Sequence, residues 1–192
     1  MKLALILLIF ITNLYSCAVY TNHVPIADVY VSIDAQKEKT TFTITWDFKE
    51  FFIASLDDHD LNENGKFDEN EKEDIRDEWI DYAFKNNHIT ELVYTNKDKR
   101  IRKSLMSKID VHTSNLTVSK DNMKYVYSFD TDFIIEENNK IFIRFLDDNE
   151  KINLALKSVT VENYNGPKTV LPQDIRANIY FYDHKVKYRK KN

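Results

Sequence analysis

Six residues in one short stretch have the types and the spacing to hold a hard cation. Asp60, Asn62, Asn64, Lys66, Asp68 and Glu71 lie within Asp60-Leu61-Asn62-Glu63-Asn64-Gly65-Lys66-Phe67-Asp68-Glu69-Asn70-Glu71. That stretch meets the EF-hand calcium-loop pattern D-x-[DN]-x-[DN]-G-x5-E at every specified position. Calcium takes about six to eight oxygens at roughly 2.3–2.6 Å, which a short loop supplies only by doubling back on itself. In this reading Asp60, Asn62 and Asn64 offer side-chain oxygens, Lys66 its backbone carbonyl, and Asp68 an oxygen directly or through water. Glu71 closes the shell with both carboxylate oxygens. Gly65, one of two glycines in the chain, supplies the sharp turn, and Phe67 packs inward.

Such a loop has to be gripped by an entering and a leaving helix. Phe48, Phe51, Phe52 and Leu56 recur at helical spacing before it, and Ile75, Trp79, Tyr82 and Ala83 after it. A helix-loop-helix over about 48–86 is therefore predicted. Between Asp57 and Glu78, eleven carboxylates face Lys66, Lys72 and Arg76, a balance of -8 inside a chain of net charge -4. No second loop braces the first, because Asp147-Asp148-Asn149-Glu150 lacks the glycine and the closing glutamate. A lone loop with three carboxylates is expected to bind calcium in the range of roughly 10⁻⁵ to 10⁻³ M, which favours a structural ion over a switch.

The elements around the insertion read as strands. Val29, Val31 and Ile33 alternate on one face, and Phe42, Ile44 and Trp46 on another, across a polar turn at Gln36-Lys37-Glu38-Lys39. Beyond Asn86-Asn87, strand patterns cover 89–95, 105–111, 124–129, 140–145, 152–161 and 175–182, separated by short polar clusters. The expected fold class is α+β, a mainly antiparallel β-sandwich with the helical pair inserted between its early strands, all in one domain over 18–192.

Composition narrows the function classes. At 192 residues, 43% hydrophobic, 13% aromatic and 30% charged, the chain suits one folded domain and not a collagen-like, disulfide-scaffold or polytopic membrane protein. A net charge of -4 gives no footprint for nucleic acid. Two glycines leave no Gly-rich phosphate loop and no nucleophile elbow.

Residues 1–17 read as a secretory signal, with Lys2 ahead of an apolar run from Leu3 to Leu14. Two processing routes compete. Leu14-Tyr15-Ser16-Cys17 resembles a lipobox that would lipidate Cys17, and Ser16-Cys17-Ala18 offers small residues for ordinary cleavage; an uncleaved buried helix is a third reading. The expected location is periplasmic or secreted, with membrane contact only through a lipid on Cys17. As the single cysteine, Cys17 excludes an intrachain disulfide.

The five histidines, His23, His59, His88, His112 and His184, show no HxH or HExxH spacing. His59, beside Asp57 and Asp58, is the one place for a general acid/base pair or a second metal, against the ordinary reading as a solvated helix end. The aromatic strands suit core packing by default and a ligand pocket as the alternative. Asn115-Leu116-Thr117 fits a glycosylation sequon by chance composition. The basic residues between Lys185 and Lys191 read as a solvated terminus, with contact to an anionic membrane surface as the alternative.

The order of features resembles a known family. A strand pair closing on Trp46-Asp47-Phe48, then Phe51-Phe52, the Asp60 to Glu71 loop with its Glu-rich exit helix, and Tyr94 ahead of the later strands are similar to an uncharacterised bacterial family. Its members are described as periplasmic components of ABC-type transport systems and grouped with nickel and cobalt permeases. The likeness covers most of 18–192 and is strongest from Val29 to Tyr94. It implies an accessory role beside an inner-membrane transporter and no catalytic residues. Relatives begin with a His-Pro-His segment, where this chain has Ile26-Ala27-Asp28, with only His23 and Pro25 nearby.

The expectation is thus an exported, calcium-binding, non-catalytic accessory or binding protein of the cell envelope, assisting a metal-ion or other transporter. A calcium-dependent hydrolase with a site near His59, and a structural envelope lipoprotein, stay open beside it.

Overall fold

The computed structural model describes residues 24–49, 56–96, 99–101, 110–119 and 122–182. The described residues hold ten strands: β1 (Ile26–Ala35), β2 (Thr40–Phe48), β3 (Thr90–Asn96), β4 (Lys99–Ile101), β5 (Val111–Ser119), β6 (Asn122–Thr131), β7 (Lys140–Phe145), β8 (Asn153–Glu162), β9 (Thr169–Gln173) and β10 (Arg176–Tyr180). They form two five-stranded sheets, ordered β5-β6-β2-β1-β8 and β4-β3-β7-β10-β9. The α+β sandwich expected from the sequence is what the chain adopts.

Each strand presents its apolar side inward because successive side chains point to opposite faces. Val29, Val31 and Ile33 of β1, Phe42, Ile44 and Trp46 of β2, and Tyr125, Tyr127 and Phe129 of β6 are buried from one sheet. Leu92, Ile141, Ile143, Phe145 and Ile179 are buried from the other. All of them belong to one core. Phe133, just after β6, stacks on Tyr94 of β3 with ring centres 4.2 Å apart and meets Phe42 of β2 edge-on at 5.9 Å, tying the sheets together. A hydroxyl pair does the same at the other end, where Thr90 Oγ1 lies 2.8 Å from Tyr127 Oη.

Pairing is antiparallel with one exception. β1 lies parallel to β8, with Ile26 opposite Asn153 and a register shift between Val29 and Tyr30. β5, β4 and β9 were not read from the sequence. In β5 the residues 112–115 are exposed on both faces, so no apolar alternation marks it. The expected strand over 105–111 lies outside the described residues except for its last positions.

The helical insertion connects β2 of one sheet to β3 of the other. Phe48 closes β2, where it is buried, and so does not begin the entering helix; residues 50–55 of that helix lie outside the described residues. Leu56 opens a 3₁₀ turn, Leu56–His59. After the loop the chain runs helically through Glu69–Ile75, a π-helical stretch Arg76–Ile80 and Asp81–Lys85. The widened π turns bring residues five apart nearly into line. Ile75 and Ile80 thereby share the buried face with Ala83, while Trp79 and Tyr82 pack partly buried against the same core.

Candidate functional site

The sequence from Asp60 to Glu71 makes a loop whose path is drawn by its own side chains. Asp60 accepts from the backbone N–H of Asn64 through Oδ1 (3.1 Å) and of Gly65 through Oδ2 (2.7 Å). Asn62 Oδ1 also accepts from Asn64 N (3.1 Å), and Asn64 Oδ1 accepts from Lys66 N (2.8 Å). Short Asp and Asn side chains bond to backbone two to five residues on and hold a tight turn without regular structure. Glu63 and Gly65 both sit at positive φ, 54° and 76°. For Gly65 a Cβ would meet no atom within 4 Å, so Gly65→Ala is expected to cost only the left-handed backbone penalty, about 1 kcal/mol in chemical melts.

The far end of the loop is a capped helix start. Asp68 Oδ1 accepts from Asn70 N (3.0 Å) and Glu71 N (3.1 Å), and Glu71 Oε2 accepts from Asp68 N (2.9 Å), a reciprocal capping box. Glu71 Oε1 reaches back to Asn62 N at 3.4 Å, and Asn62 Nδ2 donates to Asp68 Oδ2 at 3.3 Å. The twelfth position is thus folded over the third and the ninth. Glu71 is only 3% exposed, a burial that glutamate rarely reaches without a cationic partner. Phe67 is half-buried and packs on the core, as its place in the pattern predicts.

Asp60, Asn62, Asn64, Asp68 and Glu71 are therefore brought into one loop, with Lys66 on the same path. Their side-chain oxygens serve backbone N–H groups, apart from Asp68 Oδ2, which accepts from the Asn62 amide. Among the described residues no three His, Cys, Asp or Glu side chains are grouped as for a metal ion. Only three of the six candidate donors are carboxylates, and the others are two amides and a carbonyl. All-oxygen donors from alternate positions suit a hard cation and give no soft ligand to a transition metal.

The neighbourhood of His59 is less suggestive. Its Nε2 lies 3.5 Å from Glu78 Oε2, on the exit helix, and Asp58 is exposed. A cavity of about 620 Å³ does exist elsewhere, lined by residues such as Lys85, Asn87, Thr90, Glu91, Arg144 and Asp147; neither His59 nor the loop borders it. Within the wall Arg144 Nη2 pairs with Glu91 Oε2 at 2.6 Å.

Sequence reasoning passed over His88. It sits in a left-handed turn, Asn87, His88 and Ile89 all having φ between 51° and 59°, and is 2% exposed. Its ring stacks on Tyr127 at 4.6 Å and meets Phe84 edge-on at 5.2 Å. Nδ1 lies 3.3 Å from Tyr125 Oη, while Nε2 is buried without a hydrogen-bond partner. Burial pushes the imidazole down to about 4 and the Tyr125 hydroxyl, with Asp81 contributing, up to about 12. Only the aromatic neighbours at strand spacing hinted at this, since one histidine in a sequence carries no sign of burial.

Among the described residues no helix is long and apolar enough to cross a membrane. Residues 1–17 and Cys17 lie outside the described residues. Compared with known proteins, the chain matches no protein-family model and no curated protein sequence.

Proposed function

We propose that this is an exported calcium-binding protein of the cell envelope, non-catalytic, with one ion held by Asp60, Asn62, Asn64, the Lys66 carbonyl, Asp68 and Glu71. The observation that carries the reading is Glu71. A nearly fully buried carboxylate at the closing position, with only backbone N–H partners from the two sides of the loop, is pre-placed to offer both oxygens to a cation between them. With calcium bound, charge on Asp60, Asp68 and Glu71 would be offset where it now repels, so the ion would stabilise the insertion. Assistance to a nickel, cobalt or other ABC-type transporter rests on the family resemblance alone, and a lipid on Cys17 would place the protein at a membrane surface.

Calorimetric and thermal-melt titration of the mature chain with calcium, nickel and cobalt tests this. Saturable calcium binding is expected at roughly 10⁻⁵ to 10⁻³ M, with stability rising by about 2.7 kcal/mol when free calcium is 100 times Kd. Glu71→Gln removes one of the closing oxygens and is expected to weaken binding at least tenfold, roughly 1.4 kcal/mol. Absence of both heat and melting shift with the wild-type chain would end the calcium reading, and a separate nickel isotherm would support the transport role. The mass of the mature N-terminus decides whether Cys17 carries lipid.

A further inference from the structure

The outer face of the β5-β6-β2-β1-β8 sheet carries an ordered chemistry that the sequence does not display, because its members come from three separate stretches of chain, β1 with β2, β5 with β6, and β8. Following the register across the sheet, Thr160 lies beside Ser32, Ser32 opposite Thr43, Thr43 opposite Ser128, and Ser128 opposite Thr113. That is one unbroken row of hydroxyl side chains over all five strands. Thr43 Oγ1 and Ser128 Oγ are 2.9 Å apart, continuing the row as a hydrogen-bonded pair. The next row reads Ser158, Tyr30, Thr45, Val126 and Asn115. Tyr30, on β1 beside the central strand, is 40% exposed on this face, and none of the ten residues is charged.

Charges are confined to the rows on either side, and they are occupied. In one, Asp130 pairs with Lys39 at 2.7 Å, Asp34 accepts from Asn163 at 2.6 Å, and Glu162 accepts from Ser32 at 3.1 Å. In the other, Asp28 pairs with Lys49 and Lys157, and Asp47 with Lys124 at 3.1 Å. Strand propensity accounts for threonine on any outer face. It does not account for an uncharged band running the full width of the sheet between two rows of engaged charges.

We propose that this band binds a neutral β-1,4-linked glycan chain laid across the strands. Neighbouring strands are about 4.8 Å apart, close to the advance of such a chain per pyranose, so successive sugars meet successive hydroxyl side chains. Hydroxyls donate and accept, as the sugar hydroxyls do, and leave no charge to be desolvated. Tyr30 offers the flat apolar surface on which one pyranose face stacks, with its own hydroxyl at the rim. An anionic polymer gains nothing here, since the nearby lysines are already paired. The inference does not depend on calcium in the loop.

The test is titration of the mature chain with cellohexaose and chitohexaose, followed by calorimetry and amide chemical shifts, in the presence of EDTA so that the loop takes no part. Saturable binding of either sugar is expected, with shifts on β1, β2 and β6. Tyr30→Ala is expected to weaken it at least tenfold, and Thr43→Val several-fold, with the melting temperature of each variant within about 2 °C of wild type, as for surface substitutions. No binding of either hexasaccharide at millimolar concentration would overturn the proposal, and so would binding that both variants retain.

Discussion

Acidification from pH 7 to 4 is expected to remove about 2–3 kcal/mol of stability through a single imidazole, His88. In the folded chain the ring titrates at about 4 because it is buried, whereas an unfolded histidine titrates near 6.5. The folded state therefore holds fewer protons than the unfolded state between those two values. His88's contribution is complete above about pH 6.5, declines as pH falls through the window, and is spent below about pH 4. The full shift corresponds to about 3 kcal/mol. Among the described residues no countercharge touches it: Tyr125, Tyr127 and Phe84 face the ring, and Asp81 acts on Tyr125 from the helix. Urea melts at pH 7, 5.5 and 4, run on wild type and on His88→Asn, measure it. Asparagine tolerates the left-handed backbone at this position. Parallel loss of stability in both proteins would show that the acid sensitivity belongs elsewhere.

Asp147→Ala is expected to destabilise the fold by about 3 kcal/mol, the cost of leaving one buried and three half-buried donors without their acceptor at ~1 kcal/mol each. One carboxylate organises the whole turn after β7: Oδ1 accepts from Asn149 N at 3.1 Å, and Oδ2 from Lys151 N at 2.8 Å and Ile152 N at 3.0 Å. Oδ1 also accepts from Tyr82 Oη at 2.5 Å, joining the exit helix to this turn. Lys151 Nζ lies over the Tyr82 ring at 4.9 Å and reinforces the same junction. Burial alone would raise the Asp147 carboxyl, but Tyr82 and the three N–H groups outweigh it and hold it below the usual carboxylate range. Its contribution is thus present above the unfolded value of about 3.9 and lost only as pH falls through the lower folded value. The His88 window above pH 4 is clear of it. Asp147→Asn keeps one acceptor and is expected to cost roughly half as much. If chemical melts place Asp147→Ala within 1 kcal/mol of wild type, the turn is held by other contacts.

How much of this was legible in the sequence follows from the range of each interaction. β1, β2, β6 and β7 announce themselves because every second residue is apolar and buried. The calcium-type loop is equally legible, since its Asx and capping bonds join residues no more than nine apart. The exit-helix face at Ile75, Trp79, Tyr82 and Ala83 was also read correctly, though not the π turn that brings in Ile80. What could not be read depends on partners far along the chain. The 147–150 stretch lacks the calcium pattern and shows no other signal, yet Asp147 in it is a hub for Tyr82, 65 residues away. The hydroxyl row exists only once the register of four strand pairings is known. His88 looked like one scattered histidine, because its burial is made by Tyr125 and Tyr127 on β6.

The parallel contact between β1 and β8 also dictates an order of events during chain synthesis. β1 lies inside its sheet, yet one of its two neighbours comes late, as in the bond from Thr160 Oγ1 to Val31 O across 129 residues. Loop closure over that span is slow, and β1 and β2 must wait as a hairpin whose outer edges stay open until β6 and then β8 arrive. A hairpin alone is marginal in water. The sandwich therefore closes only after nearly the whole chain has emerged, and any handling that requires an extended polypeptide, such as threading through a translocation pore, has that entire interval in which to act.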